Sequence, residues 1–318
     1  MPKYRDHLPQ TRDRMFLSDG GMETTLIFHE GQDLPCFASF ILLETDEGRT
    51  RLKSYYERYL SIARQNGVGF VLDSATWRAN PDWGAQLGYN AQGLRRINEA
   101  SIAMLADLRH RWEAPETPCV ISGAVGPRGD GYKIGVMSAS EAEEYHRAQV
   151  EAFAGTEADM VTAFTLTTVD EAIGIARAAR ACAIPSAISF TVETDGRLLS
   201  GRTIAEAIEI VDQETDGAPA YFMINCAHPT HFDRALPSDE KWMARIGGIK
   251  ANASSKSHAE LDEAETLDAG DPVALGAQYR QLQSRLPRMR ILGGCCGTDH
   301  RHVAAMARAC LPMTASAL

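Results

Sequence analysis

Short apolar runs alternate along the chain with longer amphipathic stretches. The runs are "MFLSDGG" (15–21), "VGFVLDSAT" (68–76), "CVISGAVGP" (119–127), "ADMVTAFTL" (158–166), "PSAISFTV" (185–192), "YFMINCAH" (221–228), "IGGIKANAS" (246–254) and "RILGGCCG" (290–297). Near-continuous apolar character at this length predicts strands buried on both faces, as in a parallel sheet. Between them, "TRLKSYYERYLSIARQNG" (50–67) and segments near 91–112, 138–155, 168–182, 203–216, 229–243, 271–285 and 299–310 read as helices, several opened by Ser, Thr or Asp at the N-cap position. Eight strands, each followed by a helix, predict an α/β fold: one closed (β/α)8 TIM barrel in a single domain over residues 15–311. A short arm (1–14) precedes it and a frayed tail (312–318) follows. A doubly wound open sheet is the alternative, but "DGGMET" after the first strand lacks the G-x-G-x-x-G spacing of a dinucleotide turn. The glycine-rich "GAVGPRGDGYKIG" lacks the Lys-Ser/Thr ending of a P-loop and reads as a mobile loop after the third strand.

Charge narrows the partners. Asp and Glu number 42 against 32 Lys and Arg, a formal net charge of −10, with no sustained basic run. This argues against nucleic acid or an anionic membrane surface as the main partner. The opening "MPKYRDHLPQTRDRMF" carries charges where a secretory apolar segment would sit, and no apolar run has the length of a membrane span, so a cytoplasmic protein is expected. Seven cysteines, an odd number spread through a long chain, do not read as a disulfide framework, and reduced thiols are expected.

Polar residues recur at the ends of the predicted strands: Asp19, Asp73, Thr165, Glu193, Asn225, Cys226, Asn252, Cys295 and Cys296. In a barrel these ends share one mouth, where active sites are built. Cys295 and Cys296 would point to opposite faces of a regular strand, but Gly293, Gly294 and Gly297 permit the backbone to turn there. The plain alternative is a pair of small buried hydrophobes. Cys226, at the end of the sixth strand, would share their rim, and three thiolates form a soft donor set suited to Zn2+ with one tetrahedral position open. His228 is a possible fourth ligand of a structural site; before Pro229, a helix-start hydrogen bond is its more ordinary role. A site of net charge −1 is a weak Lewis acid but leaves a bound ligand electron-rich, which favours delivery of a substrate thiolate to an activated methyl group over activation of water. Oxidation could instead join two of the thiols as a disulfide.

"DGGMET", "SGAVGPRG", "FTVETDGRLLSG", "MINCAHP" and "GGCCGTDHRHV" together resemble the homocysteine S-methyltransferase family, which includes betaine-homocysteine methyltransferase, over residues of about 15 to 310. The resemblance implies a (β/α)8 barrel whose zinc is held by Cys226, Cys295 and Cys296, with homocysteine sulfur as the fourth ligand and methionine as the product. It implies that Asp19 helps hold the amino acid substrate, its carboxylate pairing with an ammonium group, and that Asn225 and Asn252 act at the rim.

One departure stands out. Many members carry Glu-Thr at the end of the fourth strand, the Glu binding the homocysteine amino group; this chain reads Phe164-Thr165. The ammonium is then held less firmly, is held by another acid such as Glu193, or is absent from the acceptor. For the donor, betaine, S-methylmethionine and S-adenosylmethionine share an onium centre that aromatic faces attract; Trp77, with Trp83 and Tyr89, is a candidate wall for it. The partners are thus a small thiol acceptor and a small methyl donor. The competing readings are a non-catalytic thiol- or metal-binding regulatory protein on the same barrel and another zinc enzyme.

Overall fold

The computed structural model describes residues 1–237, 240–264 and 266–312; all but the first residue of the expected tail lies outside them. Eight parallel strands close a barrel in chain order: β1 (Phe16–Leu17), β2 (Gly69–Asp73), β3 (Cys119–Val125), β4 (Met160–Leu166), β5 (Ser186–Phe190), β6 (Tyr221–Asn225), β7 (Ile246–Ala251) and β8 (Ile291–Gly294). Phe16 beside Ile291 and Leu17 beside Leu292 close the ring. Among the described residues the outer layer holds seven long helices: α1 (Asp46–Gln65), α2 (Ala91–Trp112), α3 (Ala139–Ala154), α4 (Val169–Ala181), α5 (Ile204–Thr215), α6 (Pro272–Arg285) and α7 (His300–Cys310).

The polar residues that open these helices act as caps. Ser138 and Thr203 form capping boxes with Glu141 and Glu206, and Asp271 and Asp299 accept from the first turns of α6 and α7. Such a cap contributes about 1 kcal/mol. The helix expected over 229–243 is not formed among the described residues. A four-residue turn, Pro229–Phe232, and two 3-10 turns, Asp233–Ala235 and Lys241–Arg245, take its place. Pro237 accounts for the break, because a proline pushes the preceding residue out of the helical region, and Leu236 sits at φ −94, ψ 96.

Two-residue periodicity divides the strand side chains between an outer layer under the helices and the barrel interior. Val71, Val120, Met160, Phe164, Ala187, Tyr221, Met223 and Ile291 fill the interior, and Leu8 of the arm closes its floor. The arm is tied there by Lys3 and Tyr4, whose backbone N–H groups donate to Asp159 Oδ1 at 2.8 and 2.7 Å. Buried side chains of this size contribute roughly 1.5–3 kcal/mol each. The opposite end, at the carboxyl ends of the strands, is open and holds the site. One irregularity serves it directly. The β4–β5 register shifts between Ala163 and Leu166, and Thr165 adopts a left-handed φ of 63; such a bulge re-aims the side chains beside it.

Candidate active site

The thiol rim is built by backbone turns. Cys226 leaves β6 with a left-handed φ of 53, rare for a side chain other than glycine, and its N–H donates to Lys250 O at 3.1 Å. Cys295 leaves β8 with its N–H on Ala251 O at 2.8 Å. Gly21 lets the turn after β1 approach: a Cβ there would lie 2.5 Å from Cys295 O. The three sulfurs of Cys226, Cys295 and Cys296 fall within 4.8 Å of one another. Cys226 and Cys295 are joined as a disulfide, Cα atoms 5.3 Å apart, which is the oxidised arrangement of the set.

The donor set fits a metal ion. Burial, with Glu23 beyond it, pushes the Cys296 thiol up to about 11, so a thiolate there at neutral pH needs a cation beside it. Polar side chains brace the sulfurs from behind: Asn225 Nδ2 lies 3.9 Å from Cys295 Sγ, and Thr165 Oγ1 lies 3.8 Å from Cys226 Sγ. Asn225 is itself fixed, accepting at Oδ1 from Thr165 N at 2.9 Å and Ser189 Oγ at 2.6 Å. Asn252 Nδ2 donates to Cys226 O at 3.0 Å, while its Oδ1 is buried without a partner.

These sulfurs line a cavity of about 440 Å³ together with Asp19, Glu23, Asp73, Trp77, Arg78, Tyr132, Phe164, Thr165, Asn225, Lys250, Asn252 and His258. Lys250 projects inward from β7 and its Nζ reaches Asp19 Oδ1 at 2.5 Å, Asp73 Oδ2 at 3.1 Å and Ser18 Oγ at 3.0 Å. Burial alone would favour the neutral amine, but the two carboxylates outweigh it and hold Lys250 above the ordinary lysine range. Its Nζ also lies 5.2 Å from the centre of the Phe164 ring. Asp19 is therefore already engaged, through Lys250 and through Tyr55, whose hydroxyl donates to Oδ2 at 3.2 Å. Asp73 Oδ1 has no partner. Glu23 accepts from Ser39 Oγ at 2.7 Å, and burial raises its carboxyl above the usual range. Over the thiols, Tyr132 sits against Cys296 and stacks on His258 with ring centres 4.2 Å apart, so the loop after β3 forms part of the cavity wall.

Glu193 does not join this set. It follows β5 on a turn where its half-buried carboxyl faces Asp195 and His231, away from the cavity. Trp77 lines the cavity, with Nε1 donating to Phe164 O at 3.4 Å. Trp83 and Tyr89 lie behind the wall, Tyr89 edge-on to Phe40 at 5.2 Å. His228 caps the turn after β6, accepting from Thr230 N at 3.3 Å, and stands outside the thiol cluster. Lys250, Glu23, Arg78 and Tyr132 were not anticipated. The alternation of Gly248, Lys250 and Asn252 carried the signal for Lys250; Glu23 lies in "DGGMET", where Asp19 drew the reading.

The architecture is similar to crystal structures of the homocysteine methyltransferase MmuM from Escherichia coli. The oxidized form matches with 20% identity and a TM-score of 0.74 over 95% of this chain and 97% of that one. The metallated form matches with 19% identity and a TM-score of 0.72 over 95% and 98%. At such identities the likeness is one of fold. A family model described as homocysteine S-methyltransferase matches residues 16–310, a span that contains every strand of the barrel and all three rim thiols, and the chain belongs to that family of methyltransferase enzymes.

Proposed function

We propose that the protein transfers a methyl group from a small onium-type donor to a thiol acceptor, homocysteine giving methionine, with Zn2+ held by Cys226, Cys295 and Cys296. The observation that carries this reading is the convergence of three sulfurs within 4.8 Å at the edge of a cavity of about 440 Å³, a size suited to small molecules. Zn2+ bound there would stabilise the acceptor's thiolate at neutral pH, and three thiolate ligands would keep that sulfur electron-rich.

The chain's own residues do the rest. Thr165 and Asn225 hold the rim sulfurs in register. Phe164 and Trp77 wall the cavity and exclude water from the reacting groups. Asp19 fixes Lys250, and of the other carboxylates lining the cavity, Glu23 and Asp73, whose Oδ1 is unpartnered, are the more buried ones placed to receive a substrate ammonium, with Asp130 and Asp268 nearer its outer edge. No helix among the described residues is long and apolar enough to cross a membrane, and a reducing compartment such as the cytoplasm keeps the three thiols available.

The test is metal analysis of the reduced protein beside a methyl-transfer assay with homocysteine and a panel of onium donors. The expected result is one zinc per chain, lost in Cys226→Ala together with activity. Undiminished zinc in that variant would overturn the assignment.

A further inference from the structure

We propose that Arg78 is a carboxylate-binding residue: one of the two substrates carries a carboxylate that seats against its guanidinium in the cavity wall. The methyl-transfer reading enters only in the choice of probes.

Arg78 is 8% exposed and lies just beyond β2. Its guanidinium carbon is 4.2 Å from the Trp77 ring centre and 4.0 Å from that of Trp83. Nη1 donates to Gly129 O at 2.7 Å, and the same oxygen accepts from Trp83 Nε1 at 2.8 Å. Nε is buried with no partner. Among the described residues no carboxylate oxygen lies within 4.0 Å of the group, and Asp130 and Glu23 act on it only at longer range.

Two other long cationic side chains are buried among the described residues, Lys250 and Arg109. Each holds two carboxylates, Asp19 and Asp73 for Lys250, Asp159 and Glu157 for Arg109. Arg78 holds none. A buried charge without a counter-ion is costly, and a guanidinium has five donors in a planar fork shaped for a carboxylate. The tryptophan pair also takes on a different meaning. A guanidinium already lies against both indoles, so an onium methyl group approaching there would meet a like charge. The wall formed by Trp77, with Trp83 behind Arg78, presents a cation to the cavity, and its complement is an anion.

Amino acid thiols and amino acid onium donors both carry a carboxylate, and paired probes separate them. Binding to the reduced full-length protein is measured by calorimetry with one ligand at a time, so no turnover is needed. The acceptor arm compares 4-mercaptobutyrate with propane-1-thiol; the donor arm compares dimethylsulfoniopropionate with ethyldimethylsulfonium. In at least one arm the carboxylate should tighten binding on the order of 30-fold, as for a desolvated charge pair. Arg78→Gln should erase that preference, and Arg78→Lys should retain part of it. Preference in the acceptor arm places the thiol's carboxylate at Arg78, and preference in the donor arm places the donor's. Equal preferences in wild type and Arg78→Gln in both arms, or no preference in wild type, would overturn the proposal. If Arg78→Gln does not fold, the wild-type pairs and Arg78→Lys decide. Carboxylate preference without methyl transfer would leave Arg78 assigned and remove the reading of the reaction; transfer without the preference would do the reverse.

Discussion

The two halves of the cavity are held in place by different means. On the β6–β8 side, backbone turns aim three cysteine sulfurs, with Cys226 in a left-handed conformation and Cys295 anchored through its N–H on Ala251 O. On the β1–β2 side, Asp19 and Asp73 are held by charge, through Lys250 reaching across from β7, and Arg78 lies between two indoles with no counter-charge. The thiol half is thus specified locally, by turns in short motifs. The charged half is specified at long range, since Lys250 and Asp19 stand 231 residues apart in the chain. A local device should tolerate loss of a side chain without unfolding. A mutually paired one should not.

Lys250→Met tests that contrast where its effect is largest. Removing the shared cation leaves two buried carboxylates facing each other, and urea unfolding should show a loss of about 3–5 kcal/mol. A loss below about 1 kcal/mol would erase the distinction between the halves. Cys226→Ala should leave the urea midpoint nearly unchanged once the reduced proteins are compared, yet lower kcat/KM at least about 100-fold, beyond the 10–100-fold typical of losing a residue behind the ligands. Glu23→Gln should raise the acceptor KM roughly 10-fold with zinc content intact, the scale of one hydrogen bond to a charged group; an unchanged KM would remove Glu23 as the ammonium's partner and leave the cavity's aspartates.

The smallest effect concerns the seam between the halves, where Tyr132 stacks on His258. Desolvation lowers His258 to about 4 from an ordinary 6.5. The unfolded chain therefore takes the proton first, so this contribution to stability is whole above about pH 6.5 and falls as pH drops toward 4. Between pH 6.5 and 5.5 the loss is at most about 1 kcal/mol. His258→Gln should flatten that segment of the stability profile, measured by thermal unfolding, and an identical slope in the variant would show that the ring titrates freely.

The barrel was legible because its signal is repetitive: eight apolar runs, each followed by a capped amphipathic segment. The β6–β7 connection escaped because its apolar residues mimic helical spacing while Pro237 interrupts it. The thiols were legible because three cysteines at strand ends, two of them among glycines, are chemically unusual. The charged half was only partly so. Asp19 was read as a free carboxylate because nothing near it in sequence announces Lys250. Arg78 lies in "TWRANPDW" between the tryptophans that drew attention, and its meaning depends on Gly129 and on the absence of a nearby carboxylate, which only the folded chain displays. Glu193 looked available because it follows a strand, but the turn that begins with its own N–H on Arg197 O carries it away from the mouth.

The Lys250–Phe164 contact bears on how such an enzyme can be re-engineered or can diverge. A carboxylate restored by Phe164→Glu would arrive beside an ammonium that belongs to the protein, 5.2 Å from the present ring centre. It would be captured by Lys250 before any substrate reached it. Placing Glu at position 164 alone therefore does not by itself offer a free carboxylate to a substrate ammonium. Position 250 cannot be changed alone either, because Lys250 also holds Asp19 and Asp73, so the two positions are coupled.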